Sequence, residues 1–225
     1  MPLYYTKESL YREIASFREF LGIPQAGYPF DLICLLKRYS GLAIQEVPFI
    51  TPELRGISHF GDTEHDDIIL LNSNRSYQEQ NFDCAHECIH LALHRNEKHA
   101  VFSCTDNVKE KQDPFLEWHA NEGAAELLVP YRDFIPSFYD LLLSFQQNQN
   151  SYMCIRTILA EKYNVTYTVI SNRIETLRYE IDQYASGTPL DKIVLLSKKK
   201  QESLGIVTTN YSVLCDFPLE WDSII

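Results

Sequence analysis

The segment His86-Glu87-Cys88-Ile89-His90 constrains this chain most, because it fits the pattern H-E-x-x-H. On a helix, residues four apart lie one above the other, so both imidazoles can converge on one metal ion. The carboxylate of Glu87 then lies beside that ion, where it can act as a base towards water. Two imidazole ligands and an adjacent base are what a zinc hydrolase needs. We therefore predict that His86 and His90 bind zinc and that Glu87 is the catalytic base.

A catalytic zinc ion with two histidine ligands needs a third ligand from the protein. Asp113-Pro114 predicts the start of a second helix that ends at Pro130. Glu117 and Asn121 share one face of that helix, and a glutamate ligand followed one turn later by a polar partner suits a gluzincin-type site. Glu122 and His119 remain open as ligands. Glu126 precedes an apolar run, and a capping or surface role is favoured for it.

Other polar side chains near the motif are candidates for supporting roles. His94 lies on the same helix face as His86 and His90. It is a candidate for one of three roles: holding a ligand side chain, contacting the substrate or stabilising the oxyanion. His119 and Tyr131 are further oxyanion candidates, and the sequence does not rank the three. Cys84 and Cys88 lie on the opposite face of the helix, so we expect them to pack in the core.

Hydrophobic periodicity predicts an α+β fold for the first part of the chain. Ser76 and Glu79 have the spacing of a capping box before the motif helix, and the polar stretch 96–113 reads as a loop. The expectation is a mostly helical, zincin-like domain of gluzincin type with a small sheet of about three strands. The predicted elements are helices at 6–22, 30–39, 77–94 and 114–130, and strands at 42–47, 56–60 and 68–71.

The second part of the chain reads as helical up to residue 186. The pattern over 155–178 predicts a helix-turn-helix-like arrangement with its turn at 163–166. The tail beyond it contains β-prone clusters at 206–209 and 211–214. The predicted organisation is a metallopeptidase domain at 1–135, a helical segment at 136–186 and an unassigned, possibly β, tail at 187–225.

Charge and composition limit the classes of partner that this protein is expected to bind. The net charge is −11, and residues 1–150 carry 12 basic and 22 acidic side chains. This acidic balance argues against nucleic acid as the main partner, and the net charge of +3 over residues 151–200 is too small to imply tight DNA binding. The sequence has no apolar run of membrane-spanning length, its N-terminus is too charged for a secretory signal, and its six cysteines are too sparse for a disulfide scaffold. We therefore expect a cytoplasmic protein without membrane contact.

Three stretches share motifs with a known family. Residues 82–94 (FDCAHECIHLALH) match F-x-x-A-H-E-x-x-H-x-x-x-H, residues 117–130 (EWHANEGAAELLVP) match E-x-x-A-N-x-F-A-x-x-L-L-M-P, and residues 54–56 (LRG) match a preceding strand. Together they resemble the ImmA/IrrE family of zinc metallopeptidases, over roughly residues 8–180. The resemblance implies Glu117 as the third zinc ligand and Asn121 as a partner of a ligand histidine. Three residues depart from the family pattern: Ile89, where the family usually has Gly, Gly123, where it often has Phe, and Val129, where it often has Met.

The resemblance also implies a function. Members of the family are site-specific proteases that cut a helix-turn-helix repressor encoded nearby, which derepresses mobile-element or stress-response genes. Zn²⁺ is then the expected cofactor, and a DNA-binding repressor is the expected protein substrate. The alternative is a regulator that binds metal or a partner through the same fold and does not cleave. The intact Glu87 counts against that alternative, because such a regulator needs no base beside the metal.

Overall fold

The computed structural model describes residues 4–23, 28–51, 53–95, 101–105, 113–147 and 155–214. Its contacts divide the chain into two compact units. The first comprises Met1–Tyr5 and Ser9–Leu128, and the second comprises Thr6–Glu8 and Val129–Ile225. The fold is α+β, as the sequence predicted.

Within the part of the chain that the structure describes, the first unit is built on a mixed sheet of four short strands in the order β1-β3-β2-β4. β1 runs parallel to β3, whereas β2 is antiparallel to both β3 and β4. The three predicted strands are present. The fourth corrects the prediction of a loop over 96–113, because β4 is short and has no alternating pattern long enough to show in the sequence. The strands are Leu42–Val47 (β1), Leu54–His59 (β2), Asp67–Asn72 (β3) and Val101–Thr105 (β4).

In the described residues, four helices accompany this sheet, and one of them packs across it. They are Lys7–Phe20 (α1), Leu32–Leu36 (α2), Tyr77–Leu93 (α3) and Pro114–Leu128 (α4). The predicted capping box is present: the Ser76 backbone N–H donates to the Glu79 carboxylate at 2.9 Å, and the Glu79 N–H donates back to the Ser76 hydroxyl at 3.4 Å. α3 packs against β2, β3 and β4 on one side and against α4 on another. The H-E-x-x-H segment is therefore enclosed by the sheet and by the second predicted helix.

The close approach of α3 and α4 depends on two of the residues that depart from the family pattern, Ile89 and Gly123. A Cβ atom at Gly123 on α4 would lie 3.1 Å from Cγ2 of Ile89 on α3 and 3.3 Å from Cδ1 of Ile14. Ile89 and Ile14 are fully buried. Ile89 thus occupies the space into which a larger residue at position 123 would project, so the two departures compensate each other in volume.

Replacing Gly123 with Phe is expected to destabilise the protein by about 1–3 kcal/mol or more, because the added ring must displace Ile89 from a packed interface. Chemical denaturation monitored by circular dichroism measures this loss. The double variant Gly123→Phe, Ile89→Gly should recover part of it, since the second change restores space for the ring. Purely additive effects of the two substitutions would contradict this packing relationship.

The second unit is helical over its described residues. Its longer helices are Tyr131–Gln147 (α5), Ile155–Tyr163 (α6), Tyr167–Thr176 (α7) and Arg178–Ala185 (α8). The predicted turn between α6 and α7 is present: Asn164 has φ +54°, and the Thr166 side chain caps α7 by accepting from the Val169 N–H at 3.3 Å. Arg173 on α7 is buried, and its Nε donates to the Val129 carbonyl at 3.0 Å.

The β-prone clusters of the tail do not form strands. Within the described part of the tail, residues 187–214, the regular elements are a 3₁₀ turn at Leu190–Lys192 and the helices Lys198–Ser203 (α9) and Tyr211–Leu214 (α10). Val207 is 91% exposed, and a strand needs a neighbouring strand to satisfy its backbone. The Tyr211 hydroxyl donates to Asp182 on α8 at 2.7 Å, so this segment is held by side chains. Residues 215–225 lie outside the described residues.

Candidate metal centre

Three of the predicted site residues bring their ligand atoms together between α3 and α4. The Nε2 atoms of His86 and His90 lie 3.1 Å apart. Glu117 on α4 approaches both, with carboxylate oxygens 3.5 Å from His86 Nε2 and 3.6 Å from His90 Nε2. All three residues are buried. This is a set of two imidazole nitrogens and one carboxylate oxygen, which is the ligand set of several catalytic zinc sites.

Asn121 determines which nitrogen of His86 is free for a metal. Its Nδ2 donates to the Glu117 carbonyl at 2.8 Å, so its Oδ1 is the atom that faces His86 Nδ1 at 3.2 Å. That oxygen can only accept a hydrogen bond, so His86 keeps a proton on Nδ1, and Nε2 is the nitrogen that a metal can take. The polar partner predicted one helical turn after Glu117 therefore lies where it orients a ligand histidine.

His90 is held from the other side by His94 and Phe102. Its Nδ1 lies 2.9 Å from His94 Nδ1, and the Phe102 ring on β4 stacks on it with ring centroids 4.2 Å apart. Burial and neighbouring histidines lower the pKa of His94 to about 4, so it is neutral at neutral pH. A neutral His94 can accept from His90 Nδ1–H, which leaves the lone pair of His90 Nε2 available to a metal. His94 Nε2 is buried without a hydrogen-bond partner within the described part of the chain.

Glu87 is held against the sheet by two donors. Ser58 on β2 donates its hydroxyl to Glu87 Oε2 at 2.5 Å, and the Cys104 backbone N–H on β4 donates to Oε1 at 3.2 Å. A Cβ atom at Gly56 would lie 3.0 Å from Glu87 Cγ, so the missing side chain makes room for the carboxylate. Burial raises the pKa of Glu87 to about 7, against the opposing effects of His86 and these donors. A carboxyl group with this pKa suits proton transfer near neutral pH.

Replacing Ser58 with Ala is expected to shift the acid limb of the pH–activity profile to higher pH. The Ser58 hydrogen bond stabilises the charged form of Glu87, so its loss raises the pKa further, and a base acts only when unprotonated. The measurement is kcat/KM against pH for the wild type and the variant, with the exposed Ser144→Ala as control. An acid limb that stays in place would show that Ser58 does not control the protonation of Glu87.

The remaining predicted residues lie outside this ligand set. Glu122 is buried and accepts a hydrogen bond from the Tyr11 hydroxyl. His119 is buried beside His94, its Nε2 accepts from the Tyr5 N–H at 3.4 Å, and its Nδ1 has no partner among the described residues. Glu126 is buried rather than at the surface, and it does not join the metal-ligand groups found among the described residues. Tyr131 begins α5 in the second unit and is also buried.

The comparison with protein families decides what kind of protein carries this centre. The model of the IrrE N-terminal-like domain, a peptidase family, matches residues 47–175. The chain belongs to this family. A search of curated proteins found no match. The matched range includes β2, β3, α3, β4 and α4, so it covers all the residues that form the centre. This IrrE-like chain is accordingly a metallopeptidase of the ImmA/IrrE type.

The residues present fit a metal ion. Burial lowers the pKa of His86, but Cys104, Glu117 and Glu87 outweigh that effect and raise it well above the ordinary value, so without a metal His86 Nε2 holds a proton at neutral pH. A metal competes with the proton for the same lone pair. In the IrrE-like chain, metal affinity should therefore weaken as the pH falls.

Among the described residues, no helix is long and apolar enough to cross a membrane.

Ser58, Phe102 and Cys104 contact the centre, yet the sequence analysis did not single them out. Ser58 lies two residues beyond the LRG stretch, and strand alternation placed it on the same face as Gly56. That alternation was the signal that could have identified Ser58. Phe102 and Cys104 had no comparable signal, because they reach the centre only through the pairing of β4 with β2.

Proposed function

We propose that this protein is a zinc-dependent, site-specific endopeptidase. The observation that carries the proposal is the convergence of His86 Nε2, His90 Nε2 and the Glu117 carboxylate, with Glu87 held beside His86. Zinc is favoured among metals because both histidines come from an H-E-x-x-H helix, the pattern of zinc hydrolases, whose two imidazoles and one carboxylate leave a position open for water.

Each residue of the centre then has a defined task. His86, His90 and Glu117 hold the ion, which, when bound, supplies a Lewis acid that acidifies water and polarises the scissile carbonyl. Glu87 accepts a proton from the attacking water and delivers it to the leaving amine. Ser58 and the Cys104 N–H keep the carboxylate in place, and Asn121 and His94 keep the two imidazoles oriented.

Two buried histidines are the favoured donors for the developing oxyanion. His94 Nε2 and His119 Nδ1 have no partner in the described residues, and their ring centroids are 5.6 Å apart. Burial lowers the pKa of His119 to about 4, as it does for His94, so each would act as a neutral N–H donor. Tyr131 remains a candidate from the sequence.

The proposed substrate is a helix-turn-helix transcriptional repressor, whose cleavage would derepress mobile-element or stress genes. The family resemblance supports this substrate class. The acidic balance of residues 1–150 supports it as well, because a DNA-binding repressor commonly presents a basic surface. A substrate of this kind also fits a cytoplasmic location.

Direct binding of nucleic acid is not part of the proposal. α7 is the second helix of the helix-turn-helix-like pair, and its Arg173 is 1% exposed and bonded to the Val129 carbonyl. The exposed Glu175 on the same helix interacts with Arg178 and Ser212. These contacts favour a packing role for α6 and α7.

The test is incubation of the zinc-loaded protein with the repressor encoded beside its gene, followed by intact-mass analysis. A single cut made by the wild type, and absent with Glu87→Gln, is the expected result and gives the scissile bond. If neither protein cuts while zinc is bound, the endopeptidase proposal fails for this substrate. The alternative is a regulator with the same fold that does not cleave. It would then predict that both the wild type and Glu87→Gln retain the repressor in a pull-down.

A further inference from the structure

β4 places one thiol on the face of the sheet that α3 covers. In an antiparallel pair, residues directly opposite each other present their side chains on the same face of the sheet. Cys104 on β4 pairs with Gly56 on β2, and the Cβ position of Gly56 points at the Glu87 side chain. Cys104 is 4% exposed and is not in a disulfide. Its thiol is therefore a buried, free sulfur beside the base of the metal centre.

Cys104 belongs to a group of ligand atoms that differs from the zinc-binding group of the proposed function. Its Sγ, a carboxylate oxygen of Glu87 and a ring nitrogen of His86 all lie within 4.8 Å of one another. The zinc-binding group joins His86 to His90 and Glu117, and the sulfur is not part of it. The two groups therefore define two places for an ion, and they share His86.

The shared histidine makes the two places alternatives. Asn121 Oδ1 faces Nδ1 of His86, so Nε2 is the nitrogen that a metal can take in either group. One nitrogen lone pair binds one ion at a time. An ion in the group that contains the sulfur therefore excludes an ion from the place beside His90 and Glu117.

The group that contains the sulfur has donors that suit a thiophilic cation. Glu87 can join it while it keeps its hydrogen bonds to Ser58 and to the Cys104 N–H, because each carboxylate oxygen has two lone pairs. A thiol that coordinates a metal releases its proton to solvent, and thiolate ligands favour soft metal ions. We propose that His86, Glu87 and Cys104 form a second cation site, which takes thiophilic divalent ions such as Cd²⁺.

Occupation of the second site inhibits a peptidase that works as proposed above. The ion takes the carboxylate of Glu87, which has to accept a proton from water. It also takes His86, which is one of the two imidazoles of the zinc-binding group. This consequence for cleavage rests on the proposed function, whereas the binding of the ion does not.

The experiment titrates the metal-free full chain with Cd²⁺ and records the thiolate-to-cadmium charge-transfer absorption in the ultraviolet. The wild type should gain this band with one equivalent of Cd²⁺, and Cys104→Ala should lack it. Cys88→Ala is the matched control and should keep the band. Cys88 is also 4% exposed, but it belongs to neither ligand group found among the described residues. A wild type without the band, or a Cys104→Ala variant that keeps it, would overturn the proposal.

Two further variants distinguish the second site from the zinc-binding group. Glu117→Ala removes a donor of the zinc-binding group alone, so it should keep the cadmium–thiolate band while it loses zinc affinity. Glu87→Gln removes a donor of the second site alone, so it should weaken Cd²⁺ binding by about tenfold or more while it retains zinc. Loss of the band in Glu117→Ala would overturn the second site, because the sulfur would then report an ion held by the zinc-binding group.

The proposed function and the second site can fail separately. A wild type that binds zinc through Glu117 but shows no cadmium–thiolate band loses the second site and keeps the metal centre of the proposed function. In the cleavage assay, excess Cd²⁺ should inhibit the zinc-loaded wild type and Cys88→Ala more strongly than Cys104→Ala. Equal inhibition of the three proteins would overturn the inhibitory role of the second site.

Discussion

Replacing Glu87 with Gln is expected to slow cleavage by about 10²–10⁴-fold while leaving metal binding unchanged. Gln has the shape of Glu and can keep both local hydrogen bonds, accepting from the Cys104 N–H and donating to the Ser58 hydroxyl. It cannot accept a proton from water at neutral pH. The variant therefore removes the base without opening a cavity between α3 and the sheet.

The measurement pairs kcat/KM on a cleaved substrate with the zinc content of the purified protein. The exposed Glu64→Gln makes the same chemical change away from the centre and should retain full activity. A Glu87→Gln variant that cleaves at nearly the wild-type rate would remove Glu87 from the role of base. A variant that loses its zinc would instead place Glu87 among the metal ligands.

Replacing Glu117 with Ala is expected to weaken zinc binding by roughly 100-fold or more. Loss of a residue that merely orients a ligand costs about 10–100-fold in metal affinity, and loss of a ligand should cost at least as much. Glu117 supplies the only carboxylate in the group that it forms with His86 and His90. Its removal takes away the carboxylate that approaches both imidazoles.

Competition with a chromophoric chelator measures the zinc affinity. Two further variants test whether Glu117 itself is the third ligand. Asn121→Ala should lower the affinity less, because it only releases the orientation of His86. Glu122→Gln should leave it unchanged, because Glu122 bonds to Tyr11 and lies outside the metal-ligand groups of the described residues. If Glu122→Gln lost zinc and Glu117→Ala kept it, the third ligand would be Glu122.

Several elements were predictable because their signals are local. The capping box at Ser76 and the Asp113-Pro114 start of α4 each depend on residues within one helical turn, and both helices begin where expected. β1 and β3 were also predictable, because each is a short run of β-prone residues bounded by turn residues. The structure of the tail was not predictable in this way. Its β-prone residues have no strand to pair with among the described residues, and side-chain contacts such as that between Tyr211 and Asp182 outweigh their intrinsic preference for strands.

The spacing of His86, Glu87 and His90 along one helix was enough to predict a metal site with an adjacent base. Helical geometry is set by hydrogen bonds between near neighbours, so the sequence by itself determined that these three side chains lie together. The sequence also limited the candidates for the third ligand to a few residues of the next helix. Only the tertiary structure showed that Glu117 rather than Glu122 lies beside the imidazoles, because α3 and α4 pack closely at Ile89 and Gly123 and Tyr11 donates a hydrogen bond to Glu122. The tertiary structure alone also brought Ser58, Phe102 and Cys104 to the centre, since strand pairing joins residues that are distant in the chain.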